Sequence, residues 1–125
     1  MINMKRSNKD HDANFTCGNN SNFQMNINGF RISIAFGPGC HVSDRDIRMG
    51  VDFDTPSKHL LWGSDDAEVL IWNRNGDPII WDSTGNQTIG CCKPDQVAQF
   101  IALLANCPPV NFDPTDGLRK IHNAF

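Results

Sequence analysis

The side chains able to do chemistry in this 125-residue chain are few and scattered, and they favour binding over bond-making. Trp62, Trp72 and Trp81 stand in a chain that has no tyrosine. An aromatic ring at a strand end beside a Gly/Asn loop can stack a purine. Trp81, followed by the polar loop Asp82–Asn86, has that placement, and Asn86 joins it as a ligand-binding candidate. The competing reading is that Trp81 fills the core, as buried tryptophans do and as is expected of Trp72. Arginines occur as Arg45 and Arg48, and as Arg119 beside Lys120. Guanidinium forks bind phosphate bidentately, which makes all three arginines phosphate-binding candidates. Solvated surface charge, paired with Asp44, Asp46 and Asp116, accounts for them equally well.

The cysteines and histidines point away from catalysis. Cys40-His41 and Cys91-Cys92 lack the C-x₂-C or H-x₃-H spacing that brings two ligands to one metal without strain. Cys91 and Cys92 face opposite ways if they lie on a strand, and Cys40 and His41 diverge in extended chain, whereas a nucleophile needs its base within hydrogen-bond reach. His11, His59 and His122 lie on the N-terminal arm, a loop and the tail. The chain has no G-x-S-x-G elbow, no H-E-x-x-H and no Walker A sequence. Gly37-Pro38-Gly39 follows a strand, as phosphate-cradling loops do, but Pro38 has no N–H to offer and no helix follows, so a plain turn is the simpler reading. No enzyme, metal site or cofactor is expected.

Composition narrows the class further. A net charge of −3 argues against long nucleic acids and anionic membranes, which need a basic field, although a few local arginines suffice for a small phosphorylated ligand. No apolar run approaches the roughly 20 residues that span a bilayer, and Met1–Arg6 lacks the apolar core of a signal peptide. Five cysteines (Cys17, Cys40, Cys91, Cys92 and Cys107), an odd number without a secretion signal, fit free thiols in a reducing cytoplasm.

These side chains must be positioned by one domain of α+β class, an antiparallel sheet of about five to six strands followed by C-terminal helices. Residues 1–22, rich in asparagine and poor in apolar side chains, read as a flexible arm or one ordered only by a partner; residues 23–125 form the domain. Phe23, Met25 and Ile27, then Phe30, Ile32, Ile34 and Phe36, alternate with polar residues on either side of Asn28-Gly29, predicting a hairpin with one buried face. Residues 40–48 form a surface loop, Met49–Phe53 a short strand and residues 54–66 an irregular stretch pinned to the core by Leu60–Trp62. The centre of the sheet is a second hairpin, Val69–Trp72 and Ile79–Trp81 around the turn Asn73–Asp77, apolar on both faces. Gln87–Cys91 is the last strand. Pro94–Ala105 is a helix with Val97, Phe100, Ile101 and Leu104 as its buried stripe. A second helix over Asp113–Phe125, capped by Asp113 with Pro114 at its first position, carries a stripe of Leu118, Ile121 and Phe125 too thin to stand alone.

Asn28–Gly39, Ala67–Trp72 with Asn75-Gly76, and Gly90–Val97 resemble small proteins encoded by bacteriophages, the first-type Thoeris anti-defence proteins. The likeness covers about residues 23–105. It implies a cytoplasmic sponge in the infected bacterium, one that binds a cyclic ADP-ribose signal, and in some members cyclic oligonucleotides, without degrading it. It also implies dimers or multiples of dimers with pockets between subunits. The family's pocket uses an aromatic residue stacked on adenine and an arginine from the helical end, for which Trp81 and Arg119 are the best-placed counterparts here. The rival expectation is a small protein-binding inhibitor of a host defence complex, of the anti-CRISPR kind.

Overall fold

The fold is organised by its turns. It is given by a computed structural model that describes residues 13–18, 22–36, 48–51 and 60–124, with the backbone alone for 48–51 and 60–62. Asn28 and Gly29 both take left-handed backbone angles, with φ of 52° and 84°. That pair makes the two-residue reversal whose twist matches a hairpin, and it joins β2 (Asn22–Ile27) to β3 (Phe30–Ala35) with Ile27 opposite Phe30. The Asn28 side chain also donates to the carbonyls of Leu104 (3.0 Å) and Cys107 (2.9 Å). One asparagine therefore ends a hairpin and closes the C-terminus of a helix, where carbonyls lack intrahelical donors.

A five-stranded antiparallel sheet results, in the order β1-β2-β3-β6-β7, where β1 is Phe15–Cys17, β6 Ala67–Trp72 and β7 Thr88–Cys92. A separate pair, β4 (Arg48–Val51) with β5 (Leu60–Gly63), forms a two-stranded sheet. Two helices follow, α1 (Pro94–Ala105) and α2 (Thr115–Asn123). The expected α+β arrangement of an antiparallel sheet followed by C-terminal helices is the one observed.

Four local expectations about the strands are corrected. The arm assigned to residues 1–22 contains β1, an edge strand with Phe15 opposite Met25 and Cys17 opposite Phe23. Its asparagines work as pairing groups: Asn26 N donates to Asn14 O (2.8 Å), and Ser33 Oγ donates to Asn22 Oδ1 (2.8 Å). Residues 60–63, read as part of an irregular stretch, are β5. The hairpin after β6 returns only through a single bridge, Trp72 to Pro78, and Ile79 N to Ile71 O at 2.8 Å. Pro78 has no N–H for the ladder, and β7 takes the rest of that edge of β6. Finally, β3 is buried on both faces, since Arg31 is 1% exposed and Ser33 is buried opposite Phe30 and Ile32. The Arg31 guanidinium donates to Gln24 Oε1, Asn26 Oδ1, Thr16 Oγ1 and Ala13 O, tying β1, β2 and β3 together. The Gly37–Gly39 turn, most of the loop 40–48 and the end of the Met49–Phe53 strand lie outside the described residues, as do Phe125 and the side chains of Leu60–Trp62.

Both helices cover the other face. Cross-strand partners share a side of a sheet, so Ile27 and Phe30, Met25 and Ile32, and Ile32 and Ile71 present one apolar surface. Phe100 and Leu104 of α1 and Leu118 of α2 are sealed against it, each burial contributing about 1.5–3 kcal/mol. Val97 and Ile101 of the expected stripe are half-buried, and Gln96 is buried beside them. Asp113 Oδ1 accepts from the Thr115 amide (3.0 Å). The cap position of α2 is Pro114, without a side-chain cap bond, so Asp113 stands one residue before the expected cap and Pro114 lies outside the first turn. α2 lies close to α1, because a Cβ on Gly117 would stand 2.6 Å from Leu103 Cδ1.

Candidate functional site

The five residues expected to bind ligand fall into two groups. Arg45 and the Arg48 side chain lie outside the described residues, Arg48 contributing only the first backbone position of β4. Trp81, Asn86 and Arg119 do come together around residues 80–86, but their polar groups are committed to the fold. Trp81 is 3% exposed; its ring packs against Phe100 (centroids 5.3 Å apart) and His122 (6.0 Å), and its Nε1 donates to Gln87 O at 3.0 Å. Stacking a base on it would require opening the core. Asn86 Nδ2 donates to Asp82 Oδ2 (2.7 Å), and Asn86 O accepts from Trp81 N. Asp82 is the centre of that loop. Hydrogen bonds from Thr84 first, then from Asn86, hold its carboxyl down to about 2. Arg119 directs both Nε and Nη2 at the Ile80 carbonyl (3.1 and 2.7 Å), strapping α2 to the segment before Trp81.

A better-formed recess lies at the turn that follows β6. The turn Asn73–Asp77 is held by Asn73, whose Oδ1 accepts from the amides of Asn75 (2.9 Å) and Asp77 (3.0 Å). Arg74, at its crest, reaches across three segments of the chain. Its Nε donates to Asn28 O (3.0 Å) and its Nη1 to Pro108 O (2.6 Å), while the guanidinium carbon stands 4.5 Å from the Phe30 ring centroid. This contact is a cation–π pair on a buried ring. Its Nη2 is buried with no acceptor among the described residues. A buried donor left unpaired costs on the order of 1–3 kcal/mol, and more when charged.

Arg74 lines a cleft of about 450 Å³ with Phe30, Asn73, Asn75, Asn111, Phe112, Asp113 and Pro114. Phe112 is 47% exposed at its mouth. Asn111 holds a left-handed φ of 55°, which turns the chain so that Phe112 and Asp113 follow along the wall. Asp113 is kept below the usual carboxylate range by hydrogen bonds from the Thr115 hydroxyl and then its amide, with Arg119 assisting. The cleft thus combines a fixed cation, a carboxylate, three amides and an aromatic face. A smaller apolar recess of about 220 Å³ shares Phe112 and Pro114 with it.

The two buried thiols among the described residues, Cys92 and Cys107, are poorly suited to chemistry. Burial pushes the Cys92 thiol up to about 12 and raises that of Cys107, which disfavours the thiolate needed for attack or metal binding. Among the described residues no three histidine, cysteine or acidic side chains gather around a common point. No helix among them is long and apolar enough to cross a membrane.

The sequence carried no local sign of the cleft. Arg74 sits inside a run read only as turn punctuation, Asn73-Arg74-Asn75-Gly76, and a charged residue at a turn crest is ordinarily solvated. Its partners, Asn28, Pro108 and Phe112, are remote in sequence, so nothing local revealed the convergence. No protein-family profile matches the chain, and no curated protein or solved structure matches it significantly.

Proposed function

We propose that this protein is a non-catalytic sponge that sequesters a small cyclic nucleotide signal of the cyclic ADP-ribose class in the cytoplasm of a phage-infected bacterium, and that it works as a homo-oligomer. The observation that carries the reading is Arg74, anchored by two backbone carbonyls over Phe30 and lining a cleft with an exposed aromatic ring. A nucleotide offers what this arrangement lacks: an anion for the guanidinium, a base for Phe112 and polar edges for the asparagines. A pre-anchored guanidinium loses little freedom on binding, which favours retention. The resemblance supplies the biological setting and the physical site supplies the ligand chemistry.

A thermal-shift panel of cyclic ADP-ribose isomers, cyclic di- and trinucleotides, NAD and ADP-ribose tests the reading. Ligand at about 1,000 times its dissociation constant stabilises the fold by about 4 kcal/mol. For 125 residues that raises the melting temperature by about 15 °C. A flat panel with ligand-stripped protein rejects the sponge. A second reading, a protein-binding inhibitor, draws on Phe15 (68% exposed) and Phe23, whose rings stand 6.2 Å apart at the β1 edge of the sheet. An edge strand beside an exposed aromatic pair suits a partner that adds a strand. Co-purification of a host protein that Phe15→Ser abolishes supports that alternative.

A further inference from the structure

We infer that the Arg74 cleft reads a ribose phosphate in two parts, Arg74 taking the phosphate and Asp113 the sugar hydroxyls; this rests on the proposed function and names the recognition chemistry of the same site. A guanidinium has five N–H bonds. In Arg74 one is used by Asn28 O and one by Pro108 O, and both on Nη2 are without an acceptor among the described residues. With the second N–H of Nη1 three donors remain, and one from each terminal nitrogen forms the parallel fork that matches two oxygens of one phosphate. Nη2 is closed to solvent in the free fold, so the phosphate meets Arg74 from the cleft it lines and reaches Nη2 only as the neighbouring wall gives way.

The carboxylate in the same cleft decides what else the ligand carries. Asp113 spends Oδ1 on the Thr115 amide and hydroxyl, while Oδ2 takes no hydrogen bond among the described residues. Its carboxyl, held below the usual carboxylate range by Thr115, is ionised at neutral pH, so it accepts hydrogen bonds and repels negative charge. A ligand that is only an anion, such as inorganic phosphate or a simple carboxylate, satisfies Arg74 and is opposed by Asp113. One with hydroxyls alone leaves Arg74 unanswered. A sugar with vicinal hydroxyls and a phosphate answers both, and Phe112, adjacent to Asp113 and exposed on the same wall, receives the attached base. The cleft volume of about 450 Å³ lies in the range of small-molecule sites.

The test is calorimetric titration of the full chain with cyclic ADP-ribose, ADP-ribose, ribose 5-phosphate, 2-deoxyribose 5-phosphate and inorganic phosphate. The variants are Arg74→Gln, Arg74→Lys, Asp113→Asn and Phe112→Ala. Arg74→Gln is expected to weaken every phosphate ligand at least thirtyfold (on the order of a lost charged pair), and Arg74→Lys to recover only part of it. Asp113→Asn keeps an amide Oδ1 to accept from the Thr115 amide and hydroxyl. It is expected to weaken the ribose ligands about tenfold and to tighten inorganic phosphate and the deoxy sugar phosphate, which lacks the vicinal hydroxyl pair. Phe112→Ala should weaken ADP-ribose but not ribose 5-phosphate. If Arg74→Gln does not fold, the Asp113 and Phe112 variants decide alone. Cyclic ADP-ribose binding that all variants leave intact overturns the inference and spares the sponge. Ribose phosphates bound as described, with every cyclic nucleotide refused, uphold the inference and reject the sponge. No binding by the native chain rejects both.

Discussion

Replacing Asn28 is the sharpest test of how the fold positions the cleft. Asn28→Ala removes two hydrogen bonds to the end of α1, at 3.0 and 2.9 Å. Each contributes about 1 kcal/mol net. The φ of 52° then falls on an alanine, where the left-handed region costs about 1 kcal/mol more. The expected loss is about 3 kcal/mol. At roughly 2.1 cal/mol/K of unfolding entropy per residue, the melting temperature falls by about 11 °C. Asn28→Gly relieves the backbone and loses only the bonds, so about 2 kcal/mol. Asn28→Asp sets a carboxylate against two carbonyl oxygens and should fall at least as far as glycine at neutral pH. Urea denaturation of the series, with unchanged m-values, measures these differences. A glycine variant as stable as the native chain would refute the reasoning, because the helix closure would then contribute nothing. The same turn offers Asn28 O to Arg74 Nε, so the alanine variant should also weaken ligand binding if the cleft is the site.

Other outcomes follow from single features. Cys91 occupies the left-handed position (φ 58°) of the bulge that shifts β7 between Ala67 and Val69 of β6, a position suited to glycine; Cys91→Gly should therefore stabilise by about 1 kcal/mol in denaturant titration. Cys92 binds its proton more tightly when folded, so its contribution is present below the ordinary thiol value of 9.0 and lost as pH rises toward about 12. Stability should decline over that alkaline window, and Cys92→Ala should flatten the decline. Exposed Cys17 and Cys91 should be alkylated in the native protein, while buried Cys92 and Cys107 react only after unfolding, as peptide mass spectrometry would report. Asp82 shows the opposite linkage, its carboxylate contribution being present above the unfolded value of 3.8 and lost as pH falls through about 2. Carbon-detected NMR should find its midpoint near 2, and Thr84→Ala, which removes the hydroxyl bond, should raise it.

What could be read from the sequence was what short-range rules control. Asn28-Gly29 demanded left-handed angles and gave the β2–β3 register, and Pro94 with the spacing of Phe100 and Leu104 fixed α1. β1 escaped because three residues of alternation are too few to register, and because its hold on the sheet runs through asparagines and Arg31, residues that composition assigns to disorder or solvent. The return strand after β6 was overread: Ile79–Trp81 are apolar enough for a strand, but Pro78 and the Asp82 loop turn the chain into the core after one bridge. Trp81 shows the limit of reading sites from residue type. A tryptophan beside a polar loop can face solvent or the core, and Phe100 and His122, both from the helices, close over it. Arg74 shows the converse: its value comes from partners 46 and 34 residues away, which no local pattern encodes.

The central claim is retention of an intact nucleotide by a protein that does no chemistry on it. The most direct measurement incubates the purified chain with cyclic ADP-ribose isomers, removes unbound ligand by gel filtration, denatures the protein and identifies what is released by mass spectrometry. The account predicts one isomer recovered chemically unchanged, in near-stoichiometric amount, and absent after Arg74→Gln. Recovery of a ring-opened or hydrolysed product, or of nothing from the native chain, contradicts it.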